Sequence, residues 1–263
     1  MIGWHWRAGL PGLLLAAVLA AWPAGAQNDR APSGYLPAGA IDGAALLGPP
    51  PASDSPRGLA DQARWEETRK LSGSARWALA IRDNDLRAGI GQRFSCAAGI
   101  ELSARATPKA WRMLTRIDGD VRSVGTPPKD HYGRRRPALG NEKPICVPRA
   151  SWMETNASYP SGHAMIGWSW ALVLAELLPE RSDALFQAGR EFGDSRAICG
   201  VHYQSDVEAG RVLASAMVAR LHATPAFVAD EAAARAELRR AARRVAKAQA
   251  CEDYAGLGPV RLP

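Results

Sequence analysis

Past residue 26 the sequence contains no apolar run near the ~20 residues that a membrane-spanning helix needs, which excludes a polytopic membrane protein. None of its four cysteines sits in a Cys-x-x-Cys pair, so a zinc knuckle or a thioredoxin-like redox site has no support. No segment alternates apolar and polar residues for the length of a strand, and there is no internal repeat. Gly89-Ile90-Gly91 lacks the third glycine of a dinucleotide-binding loop and follows no strand, so a nucleotide-cofactor loop is rejected. What remains is an all-α chain.

The first residues read as a secretory signal peptide. An apolar run from Leu10 to Trp22, shorter than a membrane span and interrupted by Pro11, is followed by small residues at Ala24-Gly25-Ala26. The spacing predicts a signal peptide over 1–26, a mature chain starting near Gln27 and a periplasmic or secreted protein. No cysteine follows closely enough for a lipid anchor. Cys96, Cys146, Cys199 and Cys251 then make an even set in an oxidising compartment, and two disulfides are expected among three connectivities. Beyond residue 26 there are 32 basic and 26 acidic residues, a modest excess that suits phosphate-bearing substrates, nucleic acid or nothing specific.

Residues 27–55, rich in Pro and Gly, read as an extended arm, and 56–263 as one helical domain. Helices are expected over Leu59–Lys70, over Ala75 to about Ser103 with a break near Gly89, and over Lys109–Val121. A loop dense in Pro, Gly and basic residues lies between Gly125 and Pro148. Ser161-Gly162-His163 then opens a segment that is hydrophobic almost all round, through Leu177-Leu178, and this should be a buried central helix. Segments at Arg181–Phe192 and Val207–Leu221 follow, and Ala229–Gln249 reads as an amphipathic surface helix.

Three stretches carry chemistry-bearing residues. The loop holds Lys129 and Arg136, the central helix is entered through Ser158-Tyr159-Pro160-Ser161-Gly162-His163, and Ser195 to Asp206 packs Arg196, His202 and Asp206 into twelve residues. A phosphoryl group in transfer spreads negative charge over its equatorial oxygens, and guanidinium forks with helix N-terminal amides match that geometry. His202, oriented by Asp206, can supply an uncharged imidazole for in-line attack, and His163 can protonate the departing alcohol. If the chain is helical from His202 onward, Asp206 lies one turn along on the same face. Tyr132 and Arg134 sit within the first stretch as supports, while His131, His222 and the Asn156-Ala157-Ser158 acceptor pattern receive no role.

The pattern Lys-x6-Arg-Pro, Pro-Ser-Gly-His and Ser-Arg-x5-His-x3-Asp resembles the signature of the type 2 phosphatidic acid phosphatase superfamily, which also holds bacterial acid phosphatases and vanadium haloperoxidases. It is complete here, from Lys129 to Pro137, from Pro160 to His163 and from Ser195 to Asp206. Through residues 198–207 the chain is most similar to the class A non-specific acid phosphatases. The resemblance implies an all-α fold of acid phosphatase/vanadium haloperoxidase type, a phosphohistidine at His202 and His163 as general acid. It also implies Lys129, Arg136, Ser161, Gly162 and Arg196 as phosphate ligands, no cofactor and no metal. Small phosphate esters are the expected substrates, with no nucleic-acid or membrane partner, and a homo-oligomer stays open. One departure is Ala138, where the family often has an aromatic; it puts the pocket rim in doubt. A vanadate-dependent haloperoxidase, a nucleotide di- or triphosphate-cleaving enzyme and a non-catalytic phosphate-binding module are the alternatives.

Overall fold

The computed structural model describes residues 1–3, 33–241, 251 and 254. Most of the expected signal peptide, the first residues of the arm and the part of the expected C-terminal surface helix beyond residue 241 lie outside the described residues. The helical unit starts at Pro32.

Among the described residues there is no strand, as the lack of alternation predicts. In chain order the helices are α1 (Gly43–Leu47), α2 (Pro56–Arg69), α3 (Ala75–Arg82), α4 (Ala88–Ala98), α5 (Pro108–Tyr132), α6 (Trp152–Thr155), α7 (Gly162–Leu177), α8 (Ser182–Cys199), α9 (Gln204–Leu221) and α10 (Pro225–Ala241). A single 3-10 turn, Pro179–Arg181, links α7 to α8. No single helix among them is long and apolar enough to cross a membrane.

The apolar α7 is the central helix. Met165, Trp170, Val173 and Leu174 are fully buried in a core shared with α4, α5, α8, α9 and α10. Its neighbour α8 comes close because both carry glycine at the crossing: a Cβ on Gly189 would lie 2.5 Å from the Ala171 Cβ and 2.8 Å from the Gly167 carbonyl. The arm is drawn onto this core by Tyr35, which meets Phe227 edge-on at 5.4 Å and donates to Asp230 at 2.8 Å. The Leu36 amide donates to Asp120 at 2.8 Å, and the Tyr132 hydroxyl reaches the Ala44 carbonyl at 2.8 Å.

Several boundaries differ from the sequence reading. The helical stretch after Ala75 breaks at Asp83–Arg87, close to the expected Gly89, because Asp83 closes α3 and the Asp85 carboxylate accepts from the Arg87 and Ala88 amides at the start of α4, and it ends at Ala98, before the expected Ser103, where Gly99 caps it. The helix that begins at Pro108 does not stop at Val121 but runs through Pro127 and Pro128 to Tyr132. A proline's fixed φ is helical, so near a helix end it costs backbone bonds without forcing a turn. Lys129 therefore projects from the last turn of α5, not from a loop. Finally, α8 runs past Phe192 to Cys199, so Ser195 and Arg196 are helical.

The cysteines pair as Cys96–Cys251 and Cys146–Cys199. The second bridge pins the end of α8, where Gly200 turns the chain at φ 84°. Arg69 reinforces the same end: lodged between Trp65 and Trp77, its guanidinium donates to the Ala197 carbonyl at 3.1 Å and to that of Ile198. A cation on the last carbonyls of a helix is favoured by the helix dipole.

Asp118 of α5 is buried, accepts from the Trp170 indole at 3.0 Å, and has its carboxyl pushed up to about 7 by burial. An acid with a raised folded-state pKa stabilises below its unfolded value near 4 and loses that contribution as pH rises towards 7. Asp118→Asn keeps the acceptor and removes the ionisation. It should raise stability at pH 7 by roughly 1–3 kcal/mol and change little at pH 4, as read from melting curves at the two values.

Candidate active site

The three stretches converge on one cavity of about 350 Å³. Lys129 enters from the end of α5, Arg136 from the segment after it, Gly162 and His163 from the start of α7, Arg196 from α8, and His202 from the turn between α8 and α9. Leu86, Val121, Ile166 and Trp152 supply apolar walls, and Asn84, Arg122 and Asn156 add polar groups.

His202 is buried and precedes α9 rather than belonging to it. The helix starts at Gln204 with Tyr203 as its N-cap, so the one-turn helical relation to Asp206 does not apply. The two side chains still meet. Nδ1 of His202 lies 3.5 Å from Oδ2 of Asp206, and the Ser158 hydroxyl sits between them, 3.3 Å from Nδ1 and donating to Asp206 at 2.5 Å. Nε2 faces Nη1 of Arg136 at 3.0 Å. A guanidinium only donates, so Nε2 bears the lone pair and Nδ1 the proton. Burial, with Arg136, Lys129 and Arg196 nearby, holds the His202 imidazole well below its usual range, neutral in mild acid.

Asp206 does more than face the histidine. Its carboxylate also accepts from the Tyr203 amide at 2.7 Å and from Arg134 at 2.6 Å, and its carbonyl accepts the Ser161 amide at 2.9 Å. Of the two helix-start amides expected to face an anion, that of Ser161 is therefore occupied. The Gly162 amide, at the first helical position, has no intrahelical partner by construction. The Ser161 hydroxyl accepts from the Ala164 amide at 3.4 Å and caps α7.

The cations are oriented by backbone carbonyls. Lys129 donates to the Ala157 carbonyl at 2.5 Å; its ammonium is pushed down to about 7, first by burial and then by Arg136. Arg136 donates to the carbonyls of Asn156 at 2.7 Å and Val201 at 2.9 Å, under the ring of Trp152 at 4.8 Å. Arg196 is 1% exposed, and its Nε and Nη1 have no hydrogen-bond partner in the structure. Burial and Arg136 push it down to about 9. Leaving a buried guanidinium half-satisfied is costly, and a bound anion would remove that cost.

His163 stacks near Phe192, with ring centroids 6.1 Å apart, and turns Nε2 to the Asn84 carbonyl at 3.2 Å. Burial, with Arg196, His202 and Arg136, holds its pKa well below the ordinary value, while the Asn84 carbonyl favours the protonated ring. Among the described residues, no three His, Cys, Asp or Glu side chains converge in a group able to hold a metal ion.

Several contributors are invisible in the motifs. Asp61 of α2 accepts from Arg134 at 2.9 Å and from the Ser205 amide at 2.9 Å, so Arg134 bridges two carboxylates. Behind Arg196, Arg93 grips Asp83 with two bonds of 2.9 and 2.7 Å, and Ser195 donates to Asp83 while accepting from Arg76 at 2.9 Å. The one available signal was charge on otherwise apolar helical faces. Asn156 and Ser158, which carried no expected role, hold Arg136 and Asp206. Ala138 is not at the rim: it is fully buried with Trp77, Met153, Ile198 and Val201. His131 meets Tyr132 edge-on, and His222 lies 3.2 Å from Glu176, both away from the cavity.

The sequence profile of the PAP2 superfamily matches residues 120–228, which span all three stretches. The chain is 40% identical over 198 residues to the acid phosphatase of Zymomonas mobilis, covering 74% of this chain and 75% of that one. It is 40% identical over 216 residues to the non-specific acid phosphatase of Providencia stuartii, covering 80% and 87%. The chain belongs to the PAP2 superfamily. A third relative, the non-specific acid phosphatase of Salmonella typhimurium, is 37% identical over 208 residues, 78% of this chain and 83% of the relative. In this PAP2 chain the unpartnered Arg196 makes a sharp test. Arg196→Met should weaken binding of inorganic phosphate by about 10-fold or more, since a charge-assisted fork is lost. It should leave the melting temperature equal or higher, because an unsatisfied buried charge goes too. Titration calorimetry and melting curves on the same preparation read both.

Proposed function

We propose that the protein is an acid phosphatase that hydrolyses phosphomonoesters of broad range through a phosphohistidine at His202, without a metal, in the periplasm or outside the cell. One observation carries the reading: a neutral imidazole lining a cavity ringed by three cations, with its Nε2 lone pair turned to one of them, Arg136. The names of the relatives support a phosphatase over the haloperoxidase or binding-module alternatives. Two disulfides support an oxidising compartment.

The chemistry follows from the geometry. The phosphoryl oxygens take the donors of Lys129, Arg136, Arg196 and the Gly162 amide, with the Ser161 hydroxyl beside them. Such fixed donors stabilise the spread charge of the transfer state. Nε2 of His202 attacks phosphorus as the ester P–O bond breaks, and the charge that develops on the ring is met by Ser158 and Asp206 at Nδ1. His163 gives its proton to the leaving oxygen. Burial and the charges of Arg196 and Arg136 disfavour that proton, and the phosphate dianion offsets those charges when it enters. Water then attacks the phosphohistidine, giving a proton to His163 and returning His202 as a neutral ring. The walls of Leu86, Val121 and Ile166 offer shape but few directional bonds to a leaving group, which supports broad specificity.

The pH range is set by charge. His202 is held well below 6.5 and remains a free nucleophile in mild acid, whereas Lys129 is cationic below about 7 and loses its charge above it. The value of kcat/KM should therefore fall on the alkaline side with a free-enzyme pKa near 7. Lys129→Arg should move that limb upward by at least one unit on the same substrate, because a guanidinium stays charged. An unmoved limb would remove Lys129 from the binding set. His202→Ala should abolish turnover of an aryl phosphate and the acid-labile phosphoenzyme, with wild-type turnover kept in excess chelator. A phosphoenzyme surviving in His202→Ala would overturn the nucleophile assignment.

A further inference from the structure

We infer that Asp83, outside all three motifs, is a positioning residue for His163, acting through the peptide it shares with Asn84. Asp83 is fully buried at the break between α3 and α4. Its carboxylate is fixed from two sides, by the fork of Arg93 at 2.9 and 2.7 Å and by the hydroxyl of Ser195. Arg93 is itself held by Glu191 at 3.1 Å, and Ser195 by Arg76 at 2.9 Å. A bidentate guanidinium–carboxylate pair fixes orientation as well as distance. The backbone of Asp83 is tied at the same corner. Its own amide closes α3 on the Leu79 carbonyl at 2.9 Å, and the following Asn84 carbonyl is delivered to Nε2 of His163 at 3.2 Å.

That contact decides which nitrogen of His163 works. A carbonyl has no proton to give, so Nε2 carries one and donates it, and Nδ1 is the nitrogen left to serve the ester oxygen. In the forward step the Nδ1–H bond breaks and an O–H bond forms on the departing alcohol, while the P–O bond breaks and the bond from phosphorus to Nε2 of His202 forms. In the second step water transfers a proton to Nδ1, its oxygen bonds phosphorus, and the P–N bond breaks. The other proton stays on Nε2 throughout, donated to the Asn84 carbonyl. Among the groups facing the ring, Arg196, Arg136 and His202 disfavour protonation and the Asn84 carbonyl favours it. The corner thus aims the acid and supplies a contact that favours its proton. The same ion pair explains a buried charged cluster that touches no substrate: Ser195, one residue before Arg196, ties the corner to the helix that carries a phosphate-binding cation.

The kinetic half of this inference rests on the phosphatase reading; the tautomer half does not. Full-length Asp83→Asn is compared with wild type on an alkyl phosphate, whose leaving oxygen needs a proton, and on 2,4-dinitrophenyl phosphate, whose leaving oxygen does not. The expected result is a fall in kcat/KM of roughly 10- to 100-fold on the alkyl ester, a part of the roughly 100- to 10,000-fold that a general acid is typically worth, and of less than about threefold on the aryl ester. Inhibition by inorganic phosphate should be unchanged. Equal losses on both esters, or no loss on either, would overturn the positioning role. Because Asp83→Asn unpairs Arg93 and can fail to fold, nitrogen-15 spectra of wild-type histidines at neutral pH give a second measurement, with the His163 signal assigned by its absence in His163→Gln. A ring protonated on Nε2 upholds the inference, and one protonated on Nδ1 sinks it. An Nε2-protonated ring in a protein that cleaves neither ester would uphold the positioning while sinking the phosphatase reading.

Discussion

Asp206 is the group on which the site depends. Its carboxylate takes the Tyr203 amide that starts α9, the Ser158 hydroxyl that faces His202, and the guanidinium of Arg134, while its carbonyl takes the Ser161 amide that starts α7. One residue therefore ties together the strap after α5, the entry to the central helix and the turn that presents His202. Its oxygens are satisfied by donors with other structural duties, so the imidazole is oriented by a framework and not by a lone flexible pair. A buried carboxylate is tolerated only with such full partnership. Arg134, which joins it to Asp61 of α2, supplies the compensating charge.

The opposite condition holds across the cavity. Arg136 and Arg196 are buried and Lys129 half-buried, and among the described residues no carboxylate pairs directly with any of them; they are steered instead by carbonyls or left partly unpartnered. Desolvation pushes all three down, the charge of Arg136 adds to it at Lys129 and Arg196, and burial with the nearby cations pushes both histidines down as well. Such an arrangement is unfavourable for folding alone and is complementary to a polyvalent anion. Burial first, and the neighbouring cations after it, hold the His202 ring well below its ordinary range and make Lys129 the first cation to be lost as pH rises.

This tension is contained by the scaffold around it. Arg69 and the Cys146–Cys199 bridge hold the end of α8, and Gly200 makes the left-handed turn there, where a Cβ would lie 2.2 Å from Arg69. The Arg76, Asp83, Arg93 and Ser195 cluster holds its middle, one residue from Arg196. These supports lie on α2, α3 and α4, far in sequence from the groups they steady.

Much of this was legible in the sequence because it depends on local spacing. The all-round apolar run after Ser161 required a buried helix, the missing alternation excluded strands, and three ordered motifs named the cations and histidines that line the cavity. Local patterns misled where a tertiary contact overrode propensity. Pro127 and Pro128 read as a loop yet extend α5, and Ser195 and Arg196 fall beyond the segment expected to end at Phe192 yet finish α8. The cysteine pairing, the Ser158 bridge to Asp206, the occupied Ser161 amide and the supports from Asp61 and Asp83 were decided only by the folded chain. Each joins residues dozens of positions apart, and such distances are set by how helices pack, not by the order of residues along them.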